Sequence, residues 1–162
     1  MEYTLTTQNL TKKYRKSVAL EGLTMNVPEG SIYGLVGENG AGKTTLIRIV
    51  SGIQQQTSGE YTLYGRKSRD KDIGKSRKRV GAVVEAPAIY TDMTAEQNLI
   101  AQYRLLGIPD YSEISDLLEL VGLAHTGDKK AGNFSLGMKQ RLGIAVALAG
   151  NPDMLILDEP IN

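Results

Sequence analysis

Two hydrophobic rhythms alternate along the chain. Residues 3 to 10 and 18 to 27 run loosely apolar–polar, and Pro28-Glu29-Gly30 makes a turn after the second stretch. A period of two puts alternate side chains on one face, so both stretches predict strands. Ser31 to Val36 is short, mostly apolar and bounded by glycines, which predicts a buried strand. Lys43 to Val50 predicts a helix that Gly52 stops. Glu60 to Tyr64 predicts a strand closed by Gly65, and Val80 to Val84 a buried strand before Pro87.

The middle of the chain switches to a helical rhythm. Thr94-Ala-Glu-Gln97 is a capping box that opens a helix ending near Gly107. Asp110 to Glu113 offers a second such box, after which Ile114, Leu117, Leu118 and Val121 share one helical face until Gly122. Residues 91 to 130 therefore predict a small helical insert. Ser135 caps a further helix running to about Ala149, and Met154 to Leu157 forms a last strand. Strands and helices alternate around the insert, which argues for an α/β core with a parallel sheet.

Composition narrows the possibilities. The 162 residues suit one domain able to bury its own core. The absence of cysteine excludes disulfides and thiol chemistry and fits the cytosol. The polar start, MEYTLTTQNLTKKY, is no signal peptide, and the longest apolar run, Leu142 to Gly150, is far too short to cross a bilayer. If a membrane is served, it is served peripherally. A net charge of +1 gives no global pointer to nucleic acid. Lysine and arginine do fill eight of the fourteen positions from 66 to 79, but no aromatic interleaves them, so a solvated loop or surface helix is the reading.

The chemistry concentrates in two places. Gly37-Glu38-Asn39-Gly40-Ala41-Gly42-Lys43-Thr44 fits G-x-x-x-x-G-K-[ST], and it lies between an apolar stretch and a helix, as that pattern requires. Polyphosphate is densely anionic. Gly37, Gly40 and Gly42 let the backbone wrap it with inward N–H groups. The helix from Lys43 adds free N–H donors and the positive end of its dipole. Lys43 places a point charge on the β and γ phosphates, and Thr44 offers its hydroxyl to Mg²⁺. The second place is the end of the last strand, Met154-Leu-Ile-Leu-Asp158-Glu159. Ligands of open α/β sheets bind at such strand ends. Asp158 suits Mg²⁺ through water, and Glu159 suits accepting a proton from an attacking water. Taken alone, these acids also fit a solvated turn.

Phe134-Ser-Leu-Gly-Met-Lys-Gln-Arg141 chooses among P-loop proteins. It resembles the signature motif of ABC ATPases, with Leu136 where glycine is commonest. With Gly37–Thr45 and Leu155–Pro160 in the same order, the resemblance covers essentially the whole chain. It implies a P-loop NTPase (RecA-like) core with a parallel sheet, an N-terminal antiparallel β subdomain and a small helical insert. Under that resemblance Tyr14 matches the aromatic that stacks on adenine, although its pattern alone fits a half-buried strand tyrosine. Glu38, Asn39 and Ala41 contact nucleotide with the rest of the loop, and Thr45 meets the α phosphate. Ser135, Leu136, Gly137 and Met138 meet ATP held by a second copy across a head-to-tail dimer, a role compatible with Ser135 as a plain helix cap. The insert resembles the part that docks on a membrane-spanning permease.

Two departures carry information. Val80-Gly-Ala-Val-Val-Glu85-Ala-Pro87 stands in the place of the Q-loop, with Glu85 where glutamine is usual. This version looks like the bacitracin-resistance and lantibiotic-immunity branch of ABC exporters; the resemblance implies a carboxylate within reach of Mg²⁺ or the water, which adds negative charge beside the phosphates, and the residue alone also fits a loop carboxylate in solvent. The chain also ends at Asn162, ahead of the D-loop and switch histidine that the family carries, and His125 lies too early to be that histidine. The resemblance thus implies one ATP-binding domain over 1–162, incomplete at its C-terminal end and of weak or absent turnover. It further implies a cytoplasmic subunit, peripheral on the inner face of the cell membrane, that powers an exporter of drugs or peptide antibiotics with ATP and Mg²⁺. Two alternatives stay open: a soluble ABC ATPase outside transport, and a nucleotide-binding fragment without turnover.

Overall fold

A computed structural model of the chain describes residues 2–158. The chain forms two compact units, Met1–Arg79 and Val80–Asn162.

The first unit is built on long antiparallel strands. β1 (Tyr3–Tyr14) and β2 (Ser17–Pro28) form a hairpin through Arg15-Lys16, and β3 (Ser58–Leu63) and β4 (Arg66–Lys67) complete a sheet of order β2-β1-β3-β4. The loose alternation read in the sequence has a cause. β1 shifts register between Thr7 and Leu10, where Asn9 adopts φ 48°. An extra residue in a strand resets the alternation, so Leu10 is buried together with Leu5 and Thr7. Threonine hydroxyls repair the ladder around the bulge. Thr7 Oγ1 donates to Leu23 O (3.0 Å) and accepts from Met25 N (3.0 Å). Thr24 Oγ1 accepts from Asn9 N (3.0 Å), and Thr11 Oγ1 accepts from Gly22 N (3.0 Å).

α1 (Lys43–Val50) turns Leu46, Ile47, Ile49 and Val50 inward, a spacing of one helical face. The basic stretch becomes β4 and a short helix α2 (Ile73–Arg77), and most of its cations are exposed. Arg66 Nε pairs with Asp72 Oδ2 at 2.9 Å and Lys67 Nζ with Glu60 Oε1 at 3.1 Å. The Arg79 guanidinium lies 3.6 Å from the centre of the Tyr64 ring.

One predicted strand is absent. Ser31 to Val36 is irregular, with Ile32 at 105% and Val36 at 95% exposure. An apolar run becomes a buried strand only where neighbouring strands satisfy its N–H and C=O groups. Among the described residues no strand pairs with this one.

The second unit is helical, with a parallel pair of strands. β5 (Val80–Val83) runs beside β6 (Met154–Leu157) in the register Val80↔Met154 to Val83↔Leu157. α5 (Leu136–Leu148) packs onto β5 so closely that a Cβ at Gly81 would lie 1.9 Å from Ala147 O. α3 (Ala95–Leu106) begins with the predicted capping box: Gln97 N donates to Thr94 Oγ1 (3.1 Å) and Thr94 N to Gln97 Oε1 (3.0 Å). It stops at Gly107, at φ 74°.

α4 (Ile114–Leu120) lacks the second predicted box. Glu113 stands at its N-cap without a side-chain capping bond, its carboxylate accepting instead from the Tyr103 hydroxyl at 3.1 Å. Asp110 Oδ1 accepts instead from Ser112 N (2.9 Å), a bond two residues on that removes the carboxylate from the helix start. Leu99, Tyr103 and Ile114 join Ala145 and Ala149 in one core cluster, and Ala95, Leu123, Ala131, Phe134 and Leu142 form another. Single helical turns at Ala124–Thr126 and Ala131–Asn133 connect these parts. No helix among the described residues is long and apolar enough to cross a membrane.

Candidate functional site

In the first unit the phosphate loop occupies 37–45 and ends in the start of α1. Gly42 sits ahead of the helix at φ 92°, ψ 9°, and no side chain caps the first turn. Unpaired N–H groups at a helix start carry partial positive charge, so this end attracts anions. A Cβ on Gly42 would meet Ala19 O at 2.2 Å, which rules out any larger residue without moving β2. Gly40, at φ 85°, needs the freedom of glycine for a different reason, the tight turn closed by Ala41 N donating to Glu38 O at 3.1 Å.

Lys43 folds back across the loop. Its Nζ donates to Gly37 O (2.7 Å) and Glu38 O (3.1 Å). The cation thus lies against the turn that Gly37, Gly40 and Gly42 permit. Thr44 and Thr45 follow in the first turn of α1, both half-buried, while 37–41, including Asn39, are exposed. Tyr14 ends β1 in the same unit. Its hydroxyl accepts a hydrogen bond from Gln54 Nε2, and Lys12 Nζ lies 5.3 Å from its ring centre.

In the second unit the residues of interest sit at ends of elements. Glu85 follows β5 by two residues, with a left-handed backbone at φ 60°. Asp158 follows β6, is buried, and donates its N–H to Val83 O at 3.0 Å, which continues the parallel ladder. The pairing of Val83 with Leu157 therefore brings Glu85 and Asp158 to one edge of the pair. Ser135 caps α5, its Oγ accepting from Met138 N at 3.2 Å. Leu136 is 68% exposed, and a Cβ on Gly137 would touch nothing within 4 Å, so this helix start is open. The Met138 side chain turns instead to the core around Leu142. Glu159 lies outside the described residues. Among those described, no three His, Cys, Asp or Glu side chains gather as a metal cage.

Residues 20–162 match the family described as ABC transporter, across both units. The chain belongs to the ABC transporter family. The bacitracin transport ATP-binding protein BcrA of Bacillus licheniformis is 44% identical over all 162 residues, which make up 53% of that protein. The lantibiotic transport ATP-binding protein SrtF of Streptococcus pyogenes is 41% identical over 96% of this chain and 66% of its own length. The chain thus spans about half the length of BcrA. Among solved structures, cbiO1 of Clostridium perfringens, part of the ABC transporter complex cbiONQ, is 29% identical with a TM-score of 0.79, over 99% of this chain and 66% of that one. An ATP-binding cassette solved as a dimer in a post-hydrolysis state, bound to ADP and Pi, is 29% identical with a TM-score of 0.83, over 96% of this chain and 74% of that one.

Membership of the ABC transporter family gives the P-loop NTPase fold that the signature pointed to. The structure adds residues the sequence did not mark. Gln54 anchors Tyr14 from the loop after α1. Arg141 Nη1 donates to Val121 O (3.1 Å) and Gly122 O (3.2 Å), tying α5 to the end of α4. A basic residue seven positions after Phe134 is visible in the sequence, but its partners, some twenty residues away, are not.

Proposed function

We propose that this chain is the ATP-binding and ATP-hydrolysing part of an ABC exporter of peptide antibiotics. The observation that carries it is Lys43 held in its own loop by Gly37 O and Glu38 O, at the uncapped start of α1. A cation and unpaired N–H donors at one helix start are the parts a triphosphate needs. Gly37 to Thr45 bind the phosphates, and Tyr14 stacks on the adenine. Thr44, Asp158 and Glu85 supply the hard oxygen donors that suit Mg²⁺, which neutralises phosphate charge when bound. Glu159 takes the proton of the attacking water. Ser135 to Met138 at the start of α5 meet the ATP held by a second copy in a head-to-tail dimer.

Both units are read as one ATP-binding domain, as the family match across them supports. The insert at about 91–130 docks on a membrane-spanning permease, which places the chain on the cytoplasmic face of the membrane. The export of peptide antibiotics rests on the likeness to BcrA and SrtF.

Calorimetric titration with Mg-ATP, with phosphate release followed on the same sample, tests the reading. Lys43→Ala is expected to weaken binding at least about tenfold, since charge-assisted bonds contribute roughly 1.5–3 kcal/mol each. Unchanged affinity in that variant would remove the phosphate loop from the site. Glu159→Gln is expected to keep binding and stop turnover, and persistent turnover would remove Glu159 from the base role.

A further inference from the structure

The loop between β5 and α3 runs from Val84, just before Glu85, to the Thr94 cap. Its second half is held by a buried side chain that none of the phosphate-binding or acidic motifs includes. Asn98, in the second turn of α3, is only 2% exposed. Its Oδ1 accepts from Tyr90 N (2.7 Å), and its Nδ2 donates to Tyr90 O (3.0 Å) and Thr94 O (2.8 Å). A primary amide is the side chain that answers a backbone N–H and C=O together, as a neighbouring strand would.

The segment so held is bonded onward. Gly132 N donates to Thr91 O (2.7 Å) and Ala131 N to Met93 O (2.8 Å), three or four residues before Ser135. A Cβ on Gly132 would lie 2.9 Å from Thr91 O, so these backbones touch. Nearer Glu85, Pro87 fills the space over Gly143 of α5, where a Cβ would meet it at 2.6 Å. From Glu85 to Ser135 the contacts form one continuous path, and Asn98 holds its centre.

We propose that Asn98 is a positioning residue that fixes loop 84–94 against 130–135, so that Glu85 and Ser135 keep one arrangement during turnover. The proposal rests on the reading that these two residues serve the nucleotide site. Asn98 touches neither nucleotide nor reacting atoms. Its effect belongs in kcat, while the grip of Lys43 and its loop sets affinity.

The test uses the full-length protein with Asn98→Ala and Asn98→Asp. Aspartate keeps the shape and the bond from Tyr90 N but loses both donors and sets a carboxylate against two carbonyls. The expected result is a fall in kcat of about tenfold or more in both variants, since each removes the two amide N–H bonds that tie Tyr90 O and Thr94 O to the Asn98 side chain and leaves those carbonyls only the backbone N–H groups of Met93 and Asn98, with the dissociation constant for Mg-ATP unchanged within about twofold. Hydrogen exchange is expected to speed up at the amides of Ala131 and Gly132, about tenfold for each 1.4 kcal/mol of opening free energy lost, while the interior of α5 stays protected. Wild-type kcat in Asn98→Asp, or unchanged exchange at Ala131 and Gly132, would overturn the proposal. So would kcat and affinity falling together with the folded fraction, which marks a structural role alone. Should the alanine variant not fold, the aspartate variant decides. If the wild-type protein itself binds no Mg-ATP, the nucleotide reading fails, and the exchange experiment still decides whether Asn98 holds the loop.

Discussion

The two units close their cores with opposite materials. Met1–Arg79 carries 14 Lys and Arg against seven Asp and Glu, and Val80–Asn162 carries five against eleven. The basic unit holds the phosphate loop, and the acidic one holds Glu85 and Asp158. The basic unit is built on a sheet of strands up to 12 residues long, with hairpins β1–β2 and β3–β4 and a bulge mended by threonine hydroxyls. The acidic unit has two strands of four residues that meet across more than seventy positions, and helices that press onto glycines. Polar side chains thus repair a local ladder, whereas missing side chains permit a distant contact.

That contrast can be tested. Gly81→Val is expected to cost most, about 3 kcal/mol or more, because its Cβ would start 1.9 Å from Ala147 O, against backbone that cannot yield. Denaturant unfolding measures it, and a loss under about 1 kcal/mol would mean that the β5–α5 contact relaxes freely. Thr7→Val in the first unit is expected to cost about 1–2 kcal/mol, since Leu23 O and Met25 N both lose their hydroxyl partner. A neutral result would show that the bulge mends itself. Thr94→Ala is expected to cost about 1 kcal/mol by opening the capping box, read as earlier fraying of α3 in hydrogen exchange.

The smallest expected effect is in pH dependence. The hydrogen bond from Arg66 holds Asp72 below its ordinary 3.8, and the bond from Ser112 does the same for Asp110. Carboxylates lowered on folding add stability above the ordinary value and lose it as pH falls through the folded one, so both units weaken slightly in acid. Burial, aided by the hydrogen bond to Glu113, holds Tyr103 above its ordinary 10.0. A raised tyrosine keeps its full contribution below that value and loses it as pH rises past it, so this alkaline loss belongs to the second unit. Tyr103→Phe is expected to remove the alkaline limb of a midpoint-against-pH curve, and Arg66→Gln to flatten the acid one. An alkaline limb that survives in Tyr103→Phe would assign it elsewhere.

What the sequence made legible was local. α1 at 43–50, the box of Thr94 and Gln97, the cap at Ser135 and the strand at 154–157 all appear as read, because each depends on residues within about four positions. The misreadings concern one set of distant partners and one local competitor. The apolar run 31–36 looked buried, but burial needed strands that no local pattern supplies. Asp110 looked like a cap until Ser112 N took its carboxylate. The turn at 37–43 has the locality of the caps: its glycines and Lys43 meet within eight residues. The left-handed backbone of Glu85 and the bonds of Asn98 left no trace, since a positive φ at a non-glycine and a buried amide have no pattern of their own.

The two bonds from Lys43 to Gly37 O and Glu38 O turn a stretch of chain into a small macrocycle, closed by its own ammonium. A guest that takes that ammonium trades places with two carbonyls, so recognition is an exchange of ligands at a cation already bound. The entropy of shaping the ring is then spent when the chain folds, and little of it remains to be spent on any guest. Glu38 and Asn39 occupy exposed ring positions, while the Ala41 methyl turns to Gly37, where a Cβ would meet it at 3.2 Å. The ring therefore favours small residues at 37 and 41 while the lysine keeps it closed.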